Sequence, residues 1–263
     1  MNTLTPAFDL LPRLQRDLSK RRLAVFLDYD GTISPIVSRP ELGTLPGDTR
    51  HVIDRLAQRH PTAIVSGRPK WQLQDFVKLD NVYYSGSHGM EIAGPAGSGI
   101  EKTIAAQYLP DLRRAYQALA QAVRPIPGVF PEDAKYTVAV HFRLADPQRE
   151  PEIERIVDNI LLQIPSLRKL HGKKIFVLRP DIDWHKGSAV AWLVNAMGLD
   201  SIGLPIYIGD DVTDEDAFKA VADQGVGILV AETPRPTAAS HLLRDTNEVK
   251  AFLEKLTALH LSQ

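Results

Sequence analysis

The chain has 263 residues, and 31 basic against 32 acidic side chains leave a formal charge of −1 at pH 7, so the electropositive surplus that attracts polyanions is missing and nucleic acid is not an expected partner. A hydrophobic share of 44% with 24% charged residues belongs to a globular chain long enough to bury a sizeable core, which excludes disordered and fibrous classes. The absence of cysteine removes disulfides, thiolate nucleophiles and Cys-ligated metals, leaving oxygen and imidazole chemistry.

Met1 to Leu11 lacks the basic start and apolar core of a secretory signal, and no apolar run approaches the ~18 residues of a membrane span. The expectation is a cytoplasmic protein without a membrane partner. Leu23–Leu27 (LAVFL) is a continuous apolar run ending in Asp28, the pattern of a strand buried on both faces of a parallel sheet. Residues 48–58 place Val52, Ile53 and Leu56 at helical spacing behind Asp48 as a capping residue, and Ala63–Val65 is a second short strand. Pro69 opens a helix over 70–77, and Val82–Tyr84 is a third strand before the loop SGSHG at 85–89. Alternating strands and helices imply a doubly wound sheet.

That rhythm breaks after Met90. The GPAGSG stretch at 94–99 is turn chemistry, residues 109–123 form an amphipathic helix, 136–142 (YTVAVHF) a half-exposed strand, 152–162 a helix and 174–178 (KIFVL) a strand. The first rhythm returns with a helix over 187–197, a strand at 205–208 (PIYI), a helix over 214–221, a strand at 226–230 and a terminal helix over 247–259. ETPRPT at 232–237 reads as a loop rather than a linker. The expected fold is α/β: a doubly wound, Rossmann-like parallel-sheet core over 1–106 and 183–263, interrupted by an α+β cap domain at 107–182.

Two acidic clusters follow strands of this core: Asp28 and Asp30 with Gly31 and Thr32, and Asp210, Asp211 and Asp214 after Gly209. A single Asp at a strand end more often starts a turn or caps a helix. Two clusters on the carboxyl edge of one open sheet, where ligands bind, reverse that preference. Converging carboxylates without cations repel one another, and the remedy for an all-oxygen donor set is Mg²⁺, which commonly bridges carboxylates to phosphate oxygens. Ser66 and Gly67 after the second strand, and Lys186 before a helix, could supply the remaining phosphate donors. Asp183, Trp184 and His185 read as packing at a domain crossing rather than as imidazole chemistry.

The strings DYDGT, SGR, the lysine of HKG and GDDVTDEDAF resemble the four motifs of the haloacid dehalogenase-like phosphatase superfamily. With GSHG at 86–89, VAVHFR at 138–143 and LRPDIDWHKG at 178–187, the chain is similar more specifically to the trehalose-6-phosphate phosphatases. The resemblance implies a Mg²⁺-dependent phosphatase that hydrolyses trehalose 6-phosphate through an aspartyl-phosphate. Asp28 is then the nucleophile, and Asp30 protonates the leaving sugar oxygen and later deprotonates water. The implied metal ligands are Asp28, the Asp30 backbone carbonyl and Asp210, with Asp211 and Asp214 supporting directly or through waters. Thr32, Ser66, Gly67 and Lys186 would cradle the phosphoryl group. Sugar recognition is implied for Arg68 and His88 on core loops and for Glu132, Lys135, His141, Arg143 and Arg179 on the cap. The chain departs from the family pattern at Lys135, three residues after Glu132 rather than two, and at Val177, where an acidic residue is usual. Alternatives are a phosphatase for sucrose 6-phosphate or mannosyl-3-phosphoglycerate, separable by substrate panel, and a non-catalytic sugar-phosphate-binding module, which would need no nucleophile beside an acid.

Overall fold

The structure, a computed structural model, describes residues 4–37, 42–172 and 174–259. It divides into two compact units, Met1–Lys102 with Trp184–Gln263, and Thr103–Asp183. The first unit begins with β1 (Thr5–Pro6), α1 (Leu11–Asp17), β2 (Arg22–Asp28), α2 (Gly47–Ala57), β3 (Thr62–Val65), α3 (Lys70–Val77), β4 (Tyr83–Gly86), β5 (Glu91–Ala93) and β6 (Glu101–Thr103). The second carries α4 (Leu109–Ala122), β7 (Phe130–Asp133), β8 (Val138–His141), α5 (Glu150–Leu161), β9 (Leu167–Gly172) and β10 (Ile175–Pro180). The chain then returns to the first unit with α6 (Lys186–Ala196), β11 (Gly203–Gly209), α7 (Glu215–Val221), β12 (Val226–Val230), β13 (His241–Leu243) and α8 (Thr246–Ala258).

The large sheet runs β1-β13-β12-β11-β2-β3-β4-β5-β6. Every pairing from β1 to β4 is parallel, and β4 with β5 is antiparallel. Period-two alternation sends successive residues of β2 to opposite faces. Leu23, Val25 and Leu27 join the cluster with Leu14 of α1, Ile53 and Leu56 of α2, and Phe252 and Leu256 of α8. Ala24 and Phe26 join the other, with Val190 and Leu193 of α6 and Phe218 and Val221 of α7. Helices on both faces make this the doubly wound α/β fold read from the sequence, and they explain why β2 is apolar without alternation.

The N-terminus of α2 differs from the reading. Pro46 occupies the capping position without a side-chain bond, while Asp48 sits inside the first turn, accepting from the Thr49 N–H at 2.8 Å and from Lys250. Pro46 fixes the φ needed to enter the helix, so the chain turns without a carboxylate cap.

In the second unit β7-β8-β10-β9 form an antiparallel sheet. Leu112 and Leu119 of α4 and Ile153 and Val157 of α5 pack against Val138, Val140, Phe176 and Leu178. The strand expected from Tyr136 begins at Val138 because 134–137 form the hairpin turn, closed by the Ala134 N–H donating to the Thr137 carbonyl at 3.0 Å. Lys135, assigned to the cap, is in this turn with φ of 70°. Among the described residues no helix is long and apolar enough to cross a membrane.

Candidate active site

Asp28 ends β2, and β11 lies beside it in parallel register, Ile208 opposite Leu27. The residue beyond Gly209 therefore emerges next to Asp28, although 182 positions separate Asp28 from Asp210. After β2 the chain folds back at once: the Ile33 and Ser34 N–H groups donate to the Tyr29 carbonyl, and the Gly31 N–H to that of Ser34. Gly31 has φ of +82°, and a Cβ there would stand 2.2 Å from Asp210 Oδ2. Glycine is thus required both by conformation and by the close approach of the two acidic loops.

Asp214 completes the cluster. One oxygen from each of Asp28, Asp210 and Asp214 lies within 4.8 Å of the others. Asp214 packs on Gly209, where a Cβ would meet its carboxyl carbon at 2.5 Å. Lys186, the first residue of α6, donates to Asp28 Oδ1 at 2.6 Å and to Asp214 Oδ1 at 2.7 Å, and the Tyr207 hydroxyl donates to that same Asp214 oxygen at 2.6 Å. The His185 ring accepts from the Ser188 N–H and caps α6, which aims Lys186 inward. Burial opposes the ammonium charge, but Asp28 and Asp214 outweigh it and hold the Lys186 pKa above the usual amine range. Burial raises the Asp28 pKa despite Lys186, with Asp214 and Asp210 adding to the rise. Asp210 is pushed up to about 6 by burial and by the charges of Asp214 and Asp211.

One ammonium facing three clustered carboxylates leaves surplus negative charge in a water-poor site. The donors are all carboxylate oxygens, so the residues fit a hard divalent cation. Both oxygens of Asp214 are already engaged, Oδ1 by Lys186 and Tyr207 and Oδ2 by the Asp211 N–H at 2.9 Å. Asp28 and Asp210 are the better placed to hold an ion. Asp211 stands apart from the three: its side chain caps the short turn Val212–Asp214 in a reciprocal capping box with Asp214.

Thr32 Oγ1 lies 3.4 Å from Asp28 Oδ2 and 3.5 Å from Asp210 Oδ1. On the other side of β2, β3 pairs Val65 with Asp28, which sets Ser66 at the same edge, buried and accepting from the Arg68 N–H at 3.1 Å. His88 has φ of 57°, donates its N–H to the Ser66 carbonyl and lays its ring against Gly67, where a Cβ would meet it at 2.7 Å. Arg68, expected at the substrate rim, grips Asp30 with two 2.6 Å bonds, Nε to Oδ2 and Nη2 to Oδ1, and its guanidinium lies over the rings of Tyr29 and Phe76. The side chain of Asp30 is thereby in a bidentate pair rather than in the carboxylate cluster.

In the second unit His141 Nε2 is 2.7 Å from Glu132 Oε2, and the His141 ring stacks on the exposed Phe130 at 4.8 Å. Arg179 is buried on β10 opposite Arg168, Arg143 is exposed on the turn after β8, and the Lys135 ammonium lies over the Tyr136 ring. Sequence reasoning passed over Tyr207, and read Trp184 only as packing at a domain crossing. A tyrosine within the apolar run PIYI was the available signal, because a buried hydroxyl needs a partner. Trp184 donates to the Gly89 carbonyl at 2.8 Å, tying the start of the returning chain to the His88 loop.

A family model described as trehalose-phosphatase matches residues 26–248. Trehalose-phosphate phosphatase B of Arabidopsis thaliana is 37% identical over 262 residues, covering 95% of this chain and 70% of that protein. A trehalose 6-phosphate phosphatase of Zea mays is 40% identical over 252 residues, covering 90% and 70%. Among solved structures, one described as a trehalose-6-phosphate phosphatase related protein superimposes with a TM-score of 0.75 at 28% identity, covering 90% of this chain and 97% of that one.

Proposed function

Because the chain belongs to the trehalose-phosphatase family, we propose that this phosphatase converts trehalose 6-phosphate and water to trehalose and phosphate, with Mg²⁺ at the acidic cluster and an aspartyl-phosphate on Asp28. The observation that carries the reading is the cluster of Asp28, Asp210 and Asp214, bridged by the Lys186 ammonium at 2.6 and 2.7 Å. It combines a nucleophile with the charge neutralisation that phosphoryl transfer requires.

An oxygen of Asp28 attacks phosphorus as the bond to the sugar oxygen breaks, and Asp30 gives that oxygen its proton. Asp30 then takes a proton from water, whose oxygen attacks the aspartyl-phosphate and releases phosphate and Asp28. Both Asp30 oxygens are engaged by Arg68, so the pair has to part for Asp30 to donate a proton. Lys186 holds Asp28 in place and offsets phosphoryl charge, while Thr32, Ser66 and the Gly67 amide supply further donors. A bound Mg²⁺, held by Asp28 and Asp210 with Asp214 in support and the Asp30 carbonyl as a further ligand, would supply electrophilic stabilisation of the phosphoryl oxygens. Asp211 supports the site by capping the turn that carries Asp214.

We assign catalysis to the first unit and sugar selection to the second, as a cap. There, cross-strand register aligns Glu132, Ala139, Val177 and Leu170 in one row, so Glu132, beside His141, is the carboxylate of that row. Lys135, Arg143 and Arg179 are the donors we assign to sugar hydroxyls. The cytoplasm is the compartment we assign. The test is phosphate release from trehalose 6-phosphate, sucrose 6-phosphate, mannosyl-3-phosphoglycerate and glucose 6-phosphate, each with Mg²⁺ and with EDTA. Selective, EDTA-sensitive release from trehalose 6-phosphate is expected, and Asp28→Asn should abolish it while retaining substrate binding. Preference for another ester would reassign the sugar, and unchanged turnover by Asp28→Asn would end the covalent mechanism.

A further inference from the structure

The loop joining β12 to β13 contains Arg235 between Pro234 and Pro236, and this residue reaches back to the acidic edge. Its Nη2 donates to the carbonyls of Asp210 at 3.3 Å and Asp211 at 3.0 Å. Its Nη1 meets Glu215 Oε1 at 2.7 Å, and Glu215 Oε2 accepts the Ala238 N–H at 2.7 Å. Glu215, the first residue of α7, therefore ties both the guanidinium and its loop to one carboxylate. Arg235 and Glu215 side chains are only 29% and 17% exposed, which favours a fixed geometry over a solvated surface pair.

The bonds fall where the sheet stops providing them. The β11–β12 ladder ends at Gly209 opposite Leu229, so the Asp210 and Asp211 carbonyls lie beyond its last pair. One guanidinium nitrogen, Nη2, donates to both successive carbonyls and is held in place by the Nη1–Glu215 bond in the same plane; together these restrain the peptide plane between the carbonyls, and that plane sets the direction in which the Asp210 side chain leaves the backbone. The flanking prolines, each with φ locked, stiffen the segment that presents the fork.

We propose that Arg235 is a positioning residue of the acidic site: with Glu215 as its anchor, it holds the Asp210–Asp211 backbone so that the Asp210 carboxylate faces Asp28, and thereby sets the affinity for Mg²⁺. The inference rests on the reading of Asp28 and Asp210 as the metal carboxylates. Partners one bond removed from a metal ligand typically change metal affinity 10- to 100-fold when lost, and Arg235→Ala should do the same. Glu215→Gln keeps an acceptor for the Ala238 N–H but removes the ion pair, so a smaller loss, about two- to fivefold, is expected.

The experiment is calorimetric titration of Mg²⁺ into the EDTA-stripped chain without substrate, for wild type, Arg235→Ala, Arg235→Lys and Glu215→Gln. It is paired with the KM for sugar phosphate at saturating Mg²⁺. The expected pattern is weaker Mg²⁺ binding in every variant, largest for Arg235→Ala and intermediate for Arg235→Lys, with KM within about twofold of wild type. Arg235→Ala binding Mg²⁺ within twofold of wild type overturns the inference. A parallel rise in KM with a fall in Tm also overturns it, because general loosening would then be the cause. Should Arg235→Ala fail to fold, Arg235→Lys decides: it keeps the charge and loses the fork, and unchanged affinity overturns the proposal. Absence of Mg²⁺ binding by wild type would overturn the metal-site reading itself, and the role of Arg235 with it.

Discussion

Replacing Lys186 by Met removes one buried charge while keeping a chain of similar length and shape, which makes it the most informative perturbation of the site. The ammonium is 3% exposed and bonds Asp28 Oδ1 at 2.6 Å and Asp214 Oδ1 at 2.7 Å. Two unit charges about 4 Å apart at an effective dielectric near 20 attract by roughly 4 kcal/mol, so two such contacts clearly exceed the worth of a surface pair. Part of this attraction offsets the desolvation of the lysine. Removing one partner of a buried pair costs about 3–5 kcal/mol, because the remaining charges stay buried and uncompensated. That is a large share of a typical total stability of about 5–15 kcal/mol. In the variant, Asp28 loses its largest stabiliser while keeping the burial and the Asp214 and Asp210 charges that push its pKa up. A carboxyl whose folded pKa lies above its unfolded value destabilises the fold at high pH, and the penalty shrinks as pH falls through the folded value. Urea unfolding in EDTA should therefore show a loss of about 3–5 kcal/mol at pH 7.5 and a smaller one at pH 5. A loss below about 1 kcal/mol at pH 7.5, or the same loss at both pH values, would refute the argument that Lys186 compensates buried carboxylates.

Three further outcomes are expected. With Asp210 pushed up to about 6 by burial and its acidic neighbours, protons compete with metal below that pH, so calorimetric Mg²⁺ affinity should fall by up to about tenfold per unit below pH 6; a flat profile between pH 5 and 7 would count against Asp210 as a ligand. Gly31→Ala places a Cβ 2.2 Å from Asp210 Oδ2 at φ of +82°; the left-handed conformation alone costs about 1–2 kcal/mol, and turnover should fall further than thermal stability, whereas unchanged kcat would show that the two loops can separate freely. His60 is buried with Nε2 unpartnered and its pKa is lowered, chiefly by burial and also by Arg59. Its contribution is complete above the unfolded value near 6.5 and is lost as pH falls from there through the folded value, so His60→Gln should flatten the acid limb of stability measured by urea unfolding.

The parts of this protein written in the sequence are those governed by short-range rules. Buried parallel strands must be apolar on both faces, so LAVFL and PIYI announce β2 and β11, and their ends mark Asp28 and Asp210 as neighbours on one edge once the doubly wound order is inferred. The short or edge strands β5, β6 and β13 were not legible, because three residues are too few for a period. Nor was the division of labour within GDDVTD. Asp211 and Asp214 are alike in sequence, yet the 212–214 turn sends Asp211 to cap it and Asp214 against Gly209, Lys186 and Tyr207.

The same limit applies to pairs that meet only in three dimensions. Residue types and local spacing mark Asp30 and Arg68 as functional, but not that each engages the other through both oxygens and two guanidinium nitrogens. Arg235 lies in a loop without a local pattern, and its reach to the Asp210 and Asp211 carbonyls exists because β12 packs beside β11. Chain chemistry thus decided which elements form and which residues can react. Tertiary structure decided which charges are buried together and in what geometry, because those contacts follow strand order, register and backbone turns rather than separation along the chain.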